Sequence, residues 1–294
     1  MVRKALLVGI NDYAPIGAGG PDLNGCVNDV RDMATTLRDL GIIPAVPASM
    51  RILTDGRATK DAIIKGLEWL IGGAKRGDLL IFYYSGHGSQ MPDMTGEETD
   101  RRDETICPHD FATAGMIKDD DLRAIFGKIA SGVNLEAILD SCHSGSGTRE
   151  LAALCSENIG EENAITIRYV EPPIDFGFFL EDPSLPTRRF LKSSPELMQM
   201  PADAKERVPV VVPTLNHVLW SGCKDYQTSG EGSIGGVVRG FFTYCFCKSL
   251  RAKNGSIARR DLDKMVAACL KGIGASQIPQ LEGTRANMTE KVFT

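Results

Sequence analysis

Two short runs of the sequence combine reactive side chains with glycines, and each follows an apolar stretch typical of a buried strand. The runs are Tyr84-Ser85-Gly86-His87-Gly88 and Asp140-Ser141-Cys142-His143-Ser144-Gly145. Ligands of open α/β sheets bind beyond the carboxyl ends of the strands, and adjacent strands lie about 4.8 Å apart. We therefore expect His87 and Cys142 to lie within reach of each other.

A cysteine beside a histidine is a pairing used in nucleophilic catalysis. The imidazole of His87 can take the proton of the Cys142 thiol, which ionises more readily than a hydroxyl. The backbone N–H groups of Gly88 and Cys142 can bind a developing oxyanion. His143 is a rival base, but neighbouring residues of an extended segment point to opposite faces. The sequence thus predicts a Cys142–His87 dyad with Gly88 at the oxyanion site.

Two other kinds of site fit the sequence poorly. A thiol phosphatase cradles phosphate between a cysteine and a following arginine, but the spacing from Cys142 to Arg149 does not match that motif. The glycine-rich stretch 17–25 lacks the Lys-Ser/Thr ending of a phosphate-binding loop. We therefore expect neither a phosphatase nor a nucleotide site.

The composition is that of a globular protein with an acidic balance. The chain has 294 residues, 33 Lys and Arg against 38 Asp and Glu, and a net charge of -5. It has no long basic run, so nucleic acid is not an expected partner. No apolar stretch approaches the roughly 18 residues of a membrane span, and no signal peptide is recognisable. We expect a cytoplasmic protein that does not bind membranes.

The 8 cysteines show no repeating spacing. A scattered set in a chain of this length does not indicate a disulfide framework, so most are expected to be reduced and buried. Cys245 and Cys247 lie in an apolar stretch without a second ligand pair, and we interpret them as core thiols rather than zinc ligands.

Strand and helix patterns alternate through the first half of the chain. Buried strands are predicted at 3–10, 51–53, 78–84 and 133–139, and helices beginning at Asn24 or Asn28, at Thr59 and at Asp119. This order implies a mainly parallel sheet with helices on both faces. Residues 89–116 are expected to be polar turns. Further on, the sequence predicts a strand at 217–220, helices at about 236–251 and 259–272, and a closing strand near 278–281.

Residues 146–208 break the alternation and are rich in proline. We interpret them as a long, partly mobile insertion within a single domain that covers residues 1–294.

The two reactive runs together resemble the catalytic signature of the caspase-like cysteine peptidases, specifically the metacaspase and bacterial caspase-homologue branch. Three further segments match that branch in order, at 23–29, 103–110 and 221–229. The Gln-Ala-Cys-Arg-Gly type of sequence found in true caspases is absent. The resemblance implies a caspase-like three-layer α/β sandwich and a cysteine endopeptidase that cleaves after Arg or Lys rather than Asp.

At the matching positions, the resemblance implies a specificity pocket lined by Cys26, Asp29, Ser85 and Asp140. Two carboxylates in a partly desolvated pocket attract a guanidinium or an ammonium and repel an acid. Each also has a structural interpretation, Asp29 as a surface helix residue and Asp140 as the cap of a turn. We expect protein or peptide substrates with Arg or Lys at the cleaved bond, and a monomeric enzyme.

Many members of that branch bind calcium through aspartates that match Asp103, Asp119 and Asp120. A hard cation favours such carboxylates. The family's fourth carboxylate is replaced by Arg149, whose charge opposes calcium. The same acids would also suit a helix N-terminus without any metal. The resemblance thus leaves calcium open, and the sequence requires no cofactor.

Two questions remain open at this point: whether the predicted catalytic residues are active, and whether the enzyme cuts its own insertion. A catalytically idle caspase-fold module acting through protein partners is disfavoured because both catalytic residues and the pocket acids are present. The insertion offers Arg149, Arg168, Arg188 and Arg189 to an enzyme that prefers arginine. It is either cut by the enzyme itself, most readily after Arg188 or Arg189, or packed as an ordered flap that is never cut.

Overall fold

The computed structural model describes residues 1–14, 22–92, 102–142, 165–170, 216–224, 227 and 229–294. In chain order the strands are β1 (Arg3–Gly9), β2 (Met50–Thr54), β3 (Leu79–Ser85), β4 (Gly88–Pro92), β5 (Arg102–Ile106), β6 (Ile117–Lys118), β7 (Asn134–Asp140), β8 (Thr166–Ile167), β9 (Asn216–Ser221), β10 (Gly230–Ile234), β11 (Val237–Gly240) and β12 (Gln280–Glu282). The helices are α1 (Cys26–Asp39), α2 (Lys60–Ile71), α3 (Phe111–Ala114), α4 (Asp119–Phe126), α5 (Phe241–Ala252), α6 (Arg259–Gly272) and α7 (Arg285–Thr289).

A six-stranded sheet with the order β12-β9-β7-β3-β1-β2 forms the centre of the fold. Strand β12 pairs antiparallel with β9, and the other neighbours pair in parallel. Strand β3 is buried along its whole length, which explains why its sequence is continuously apolar. The predicted mainly parallel sheet is confirmed.

Helices cover both faces of the central sheet. Side chains alternate between the faces along a strand, so Leu6 and Val8 of β1 pack in the core layer beneath α2 and α4. Ala5 and Leu7 pack in the opposite layer, beneath α1, α5 and α6. Burial of these two apolar layers is the main favourable term in folding. The three-layer α/β architecture is therefore confirmed.

Two small antiparallel sheets accompany the central one, β4-β5-β6 and β8-β10-β11. Residues 89–116, which we expected to be turns, contain β4, β5 and α3. The polar side chains of Ser89 and Thr105 are nevertheless buried in this sheet. The expectation was wrong because a strand of buried polar residues lacks the apolar periodicity by which strands are recognised.

The helix expected from about residue 236 begins later, at Phe241. The residues before it form β11, which pairs antiparallel with β10. Gly235 and Gly236 join the two strands with φ angles of 62° and 79°, the left-handed conformation that tight hairpin turns require.

Most of the predicted insertion, including Arg149, Arg188 and Arg189, lies outside the described residues. Its extent and the single-domain organisation stay predictions. Residues 165–170 are described, and β8 pairs antiparallel with β10. Arg168 is fully buried and Val170 is 4% exposed, so this part of the predicted insertion packs in the interior of the protein.

A disulfide joins Cys245 of α5 to Cys269 of α6. The expectation of reduced thiols is wrong for this pair, because the packing of two helices brings the cysteines together and their spacing in the sequence does not reveal it. The other cysteines of the described residues are free and buried: Cys26, Cys107, Cys142, Cys223 and Cys247. Within the described ranges, no helix is long and apolar enough to cross a membrane.

Candidate active site

Strands β3 and β7 lie side by side, and Ser85 pairs with Asp140 at their carboxyl ends. His87 and Cys142 each follow two positions later in the chain. Both side chains are fully buried. The register of the two strands therefore brings the predicted catalytic residues to the same edge of the sheet.

Two tyrosines fix the backbone of His87. Its N–H donates to Tyr13 Oη at 2.7 Å, and its carbonyl oxygen accepts from Tyr84 Oη at 2.7 Å. The imidazole and the Tyr13 ring lie 4.9 Å apart, centroid to centroid. Gly86 makes this approach feasible, because a Cβ there would lie 2.7 Å from Tyr13 Oη. These hydrogen bonds therefore fix the backbone of His87, from which the imidazole extends.

The thiol of Cys142 contacts the chain just before β10. Its Sγ donates to the Ser229 carbonyl oxygen at 3.0 Å, and the Ser229 N–H points at the same sulfur. A hydrogen bond between Cys223 and Cys142, together with burial, raises the pKa of Cys223. The sulfur therefore lies between the end of β7 and the segments that follow β9.

The side chain of Arg168 fills the predicted specificity pocket. Its contacts are Nη2 to Asp29 Oδ2 (2.6 Å) and Glu231 Oε2 (3.0 Å), and Nη1 to Ser85 Oγ (2.9 Å) and Asp140 Oδ2 (3.1 Å). All five side chains are fully buried. Arg168, which we expected as an accessible cleavage residue, is instead ion-paired inside the protein.

Cys26, the fourth residue predicted for this pocket, is fully buried beside Glu231. Its Sγ is 3.8 Å from Glu231 Oε2, so it contacts one of the acidic side chains around the guanidinium. Burial raises the pKa of the Cys26 thiol well above its ordinary value, and the thiol is therefore neutral in the folded protein. The structure brings all four predicted pocket residues together.

Donors from the end of β11 and the first turn of α5 hold the two predicted carboxylates in place. Asp29 accepts the N–H of Gly240 at 2.9 Å, and Asp140 accepts the N–H and the Oγ1 of Thr243 at 3.1 and 2.6 Å. Gly240 has no room for a side chain, since a Cβ would lie 2.7 Å from both Arg168 Nη1 and Asp29 Oδ2. The interpretations of Asp29 as a surface residue and of Asp140 as a turn cap are wrong, because both carboxylates face the buried guanidinium.

The pocket holds three carboxylates, those of Asp29, Asp140 and Glu231, around one guanidinium. Burial raises the pKa of Asp29 to about 6, the Arg168 guanidinium opposes that rise, and the neighbouring Asp140 adds to it. Each charge in a dry pocket needs a compensating partner. The ionised form of Asp29 thus depends on a cation being present.

Sequence reasoning does not assign Glu231 or Arg168 to the pocket. Glu231 stands between two glycines directly after the matched segment 221–229, and this is the one signal by which it could have been found. Arg168 lies in a stretch without a matching counterpart. Its position depends on the pairing of β8 with β10, which the sequence does not indicate.

The backbone of residues 165–170 crosses the site as an extended strand. The N–H of Arg168 donates to Ser229 at 3.2 Å on one side. The Arg168 carbonyl oxygen accepts from the N–H groups of Gly88 at 3.0 Å and Cys142 at 3.3 Å. Beyond it, the N–H of Val170 donates to the Gly88 carbonyl at 3.0 Å. The two amides predicted as an oxyanion site thus share the carbonyl of this one arginine.

Two of the residues matched to a calcium site, Asp119 and Asp120, lie beside an arginine. Asp119 and Asp120 begin α4, where they form ion pairs with Arg123 at 3.4 and 2.9 Å and suit the helix dipole. Asp103 lies on β5, where its backbone pairs with Met91. Within the described ranges, no group of three acidic, histidine or cysteine residues is placed to hold a metal ion. Two of the three matched carboxylates are thus ion-paired with Arg123.

Three comparisons, two of sequence and one of structure, show which known proteins this chain resembles. A family model described as metacaspase, peptidase C14 domain, matches residues 3–149. The chain is 36% identical over 264 residues to metacaspase-1A of Aspergillus niger, covering 85% of this chain and 62% of that protein. It is 31% identical over 315 residues to metacaspase-1 of Pyricularia oryzae, covering 99% and 74%.

A crystal structure of a protein from Geobacter sulfurreducens aligns with a TM-score of 0.66 at 25% identity, covering 100% of this chain and 99% of that one. The chain spans less than two thirds of the Aspergillus niger relative, at 62% of its length. The α/β sheet, the two reactive runs and these matches agree with one another. The chain therefore belongs to the metacaspase family, a branch of the caspase-like cysteine peptidases.

Proposed function

We propose that the protein is a cysteine endopeptidase that hydrolyses peptide bonds after Arg or Lys, with Cys142 and His87 as its catalytic dyad. The observation that carries the proposal is the position of Arg168. Its guanidinium fills an acidic pocket while its carbonyl oxygen is held by the amides of Gly88 and Cys142. A substrate arginine must make these same two sets of contacts when its peptide bond is attacked.

The reaction follows from these positions. Cys142 gives its proton to His87, and the sulfur attacks the carbonyl carbon of the substrate residue. Negative charge that develops on the carbonyl oxygen is stabilised by the N–H groups of Gly88 and Cys142. His87 then protonates the leaving amine as the C–N bond breaks. Water, activated by His87, hydrolyses the thioester and restores the thiol.

The charge of the pocket supports a basic substrate residue. Asp29, Asp140 and Glu231 are fully buried and lie around a single guanidinium. An aspartate side chain in the same position would add a fourth buried negative charge without a partner, and burial of an unpaired charge is costly. Peptides with Asp at the cleaved bond should therefore be rejected.

Turnover of three fluorogenic peptides that differ only in Arg, Lys or Asp before the reporter tests the proposal. We expect cleavage of the Arg and Lys peptides, and a loss of roughly 1,000-fold or more in Cys142→Ala and His87→Ala. Cys247→Ala is the matched control, because Cys247 is also buried and free but lies in α5. Equal cleavage of the Asp peptide, or near-normal turnover by Cys142→Ala, would overturn the proposal.

The idle-module alternative is tested in the same experiment. An idle module would hydrolyse none of the three peptides, even where a thiol reagent shows that Cys142 is accessible and reactive. Turnover that disappears in Cys142→Ala but not in Cys247→Ala would exclude it.

A further inference from the structure

Glu231 is held rigidly before any ligand arrives. Its Oε1 accepts the N–H of Asn24 at 2.7 Å, and its Oε2 accepts the N–H of Gly25 at 3.1 Å. Gly25 allows this close approach, because a Cβ there would lie 2.9 Å from Glu231 Oε2. The side chain is fully buried. Backbone donors just before α1 thus fix the position of this carboxylate.

Glu231 reaches only one branch of the guanidinium. Nη2 of Arg168 carries two hydrogens, and it lies 2.6 Å from Asp29 Oδ2 and 3.0 Å from Glu231 Oε2. Nη1 is engaged on the other side by Ser85 and Asp140. Asp29 and Glu231 therefore take the two hydrogens of Nη2, while Ser85 and Asp140 contact Nη1, a division of contacts that matches the two branches of a guanidinium.

We propose that Glu231 is a specificity-determining residue that selects arginine over lysine on the acyl side of the cleaved bond. This inference rests on the proposed function, for which Arg168 stands in the place of the substrate residue. A lysine side chain is one bond shorter, and its single nitrogen would lie near the position of the guanidinium carbon. It would leave Glu231 buried without a cation in contact, which penalises the lysine complex.

Substitution of Glu231 tests the idea in the full chain carrying Arg168→Ala, so that the chain's own arginine does not compete for the pocket. We measure kcat and KM on paired peptides that differ only in Arg or Lys. In Glu231→Gln, we expect the ratio of kcat/KM for Arg over Lys to fall by about 10- to 100-fold, mainly through loss on the Arg peptide. Glu231→Asp keeps the negative charge but moves the carboxylate away from the guanidinium by the length of one methylene. The ratio of kcat/KM for Arg over Lys should then lie between those of the parent chain and Glu231→Gln.

Glu68→Gln is the control, because it removes the same charge from an exposed position on α2. An unchanged Arg over Lys ratio in Glu231→Gln, or an equal loss on both peptides, would show that Glu231 only supports the fold. If Glu231→Gln and Glu231→Asp do not fold, inhibition of the parent chain by agmatine and by cadaverine, the decarboxylated forms of arginine and lysine, decides the matter. Tighter inhibition by agmatine supports the inference, and equal inhibition overturns it. A parent chain that is folded, as judged by its circular dichroism spectrum and cooperative unfolding, but cleaves neither peptide would instead refute the proposed function, on which the inference rests.

Discussion

Under the proposed function, the bond between Arg168 and Tyr169 takes the place of a substrate bond, and we expect the protein to cut it. The guanidinium of Arg168 is in the pocket, its carbonyl oxygen is on the amides of Gly88 and Cys142, and the backbone on both sides is hydrogen-bonded. A segment already bound in this way reacts without a binding step, which favours an intramolecular reaction. The products would be residues 1–168 and 169–294.

The variant Arg168→Gln removes the charge but keeps a long polar side chain. It loses charge-assisted contacts with at least Asp29 and Asp140, at 2.6 and 3.1 Å. Such contacts contribute about 1.5–3 kcal/mol each, or about 3–6 kcal/mol for two. Since 1.4 kcal/mol corresponds to a factor of ten, self-cleavage should slow by about 100- to 10,000-fold. Arg168→Lys keeps a positive charge and should be cut at an intermediate rate.

The assay follows purified protein on a denaturing gel and sequences any new amino terminus. We expect a terminus at Tyr169 in the wild type, none in Cys142→Ala, and a first-order rate constant that does not change when the protein is diluted. A chain that hydrolyses Arg peptides but keeps the Arg168–Tyr169 bond intact would refute the reasoning. Cleavage only after Arg188 or Arg189 would refute it equally.

Three further outcomes are expected. Gly240→Ala should lower kcat/KM on Arg peptides by about 100-fold by displacing the pocket groups, whereas Gly272→Ala, with nothing within 4 Å of its added Cβ, should have little effect. Burial raises the pKa of Asp29 to about 6, so the folded state binds its proton more tightly than the unfolded state. The free energy of unfolding in urea should therefore fall as pH rises from about 4 to about 6, and this slope should flatten in Asp29→Asn. Removal of calcium with EGTA should leave kcat/KM on Arg peptides within about twofold, since Asp119 and Asp120 are already paired with Arg123.

The central sheet could be predicted because its strands are buried on both faces. Strand β3 is a nearly continuous apolar run, β7 is apolar apart from Glu136 and its two ends, and the helices of the first half of the chain show the period of one apolar face. The carboxyl ends of these strands place Ser85 opposite Asp140, and from there the positions of His87 and Cys142 follow. The apolar pattern of the strands and the geometry of parallel sheets were therefore sufficient to predict that His87 and Cys142 lie at the same edge of the sheet.

The rest of the pocket depends on pairings that leave no local pattern. Glu231 enters it because β10 pairs with both β8 and β11, and these short strands are rich in glycine and polar residues. Arg168 enters it because β8 extends the same small sheet. The disulfide between Cys245 and Cys269 depends on how α5 packs on α6. Contacts between segments distant in sequence decide all three, and one sequence alone does not record them.

The order of the central sheet has a consequence for a cleaved molecule. Strand β9 lies between β7 and β12, although β7 precedes the Arg168–Tyr169 bond and β9 follows it. Trp220 and Phe246 from the second fragment pack in the same core layer as Leu7 and Ile81 from the first. Separating the fragments would expose that layer to water, so they should remain together as a two-chain protein. Its elution volume in native size-exclusion chromatography should equal that of the intact chain, and the break should become visible only after denaturation.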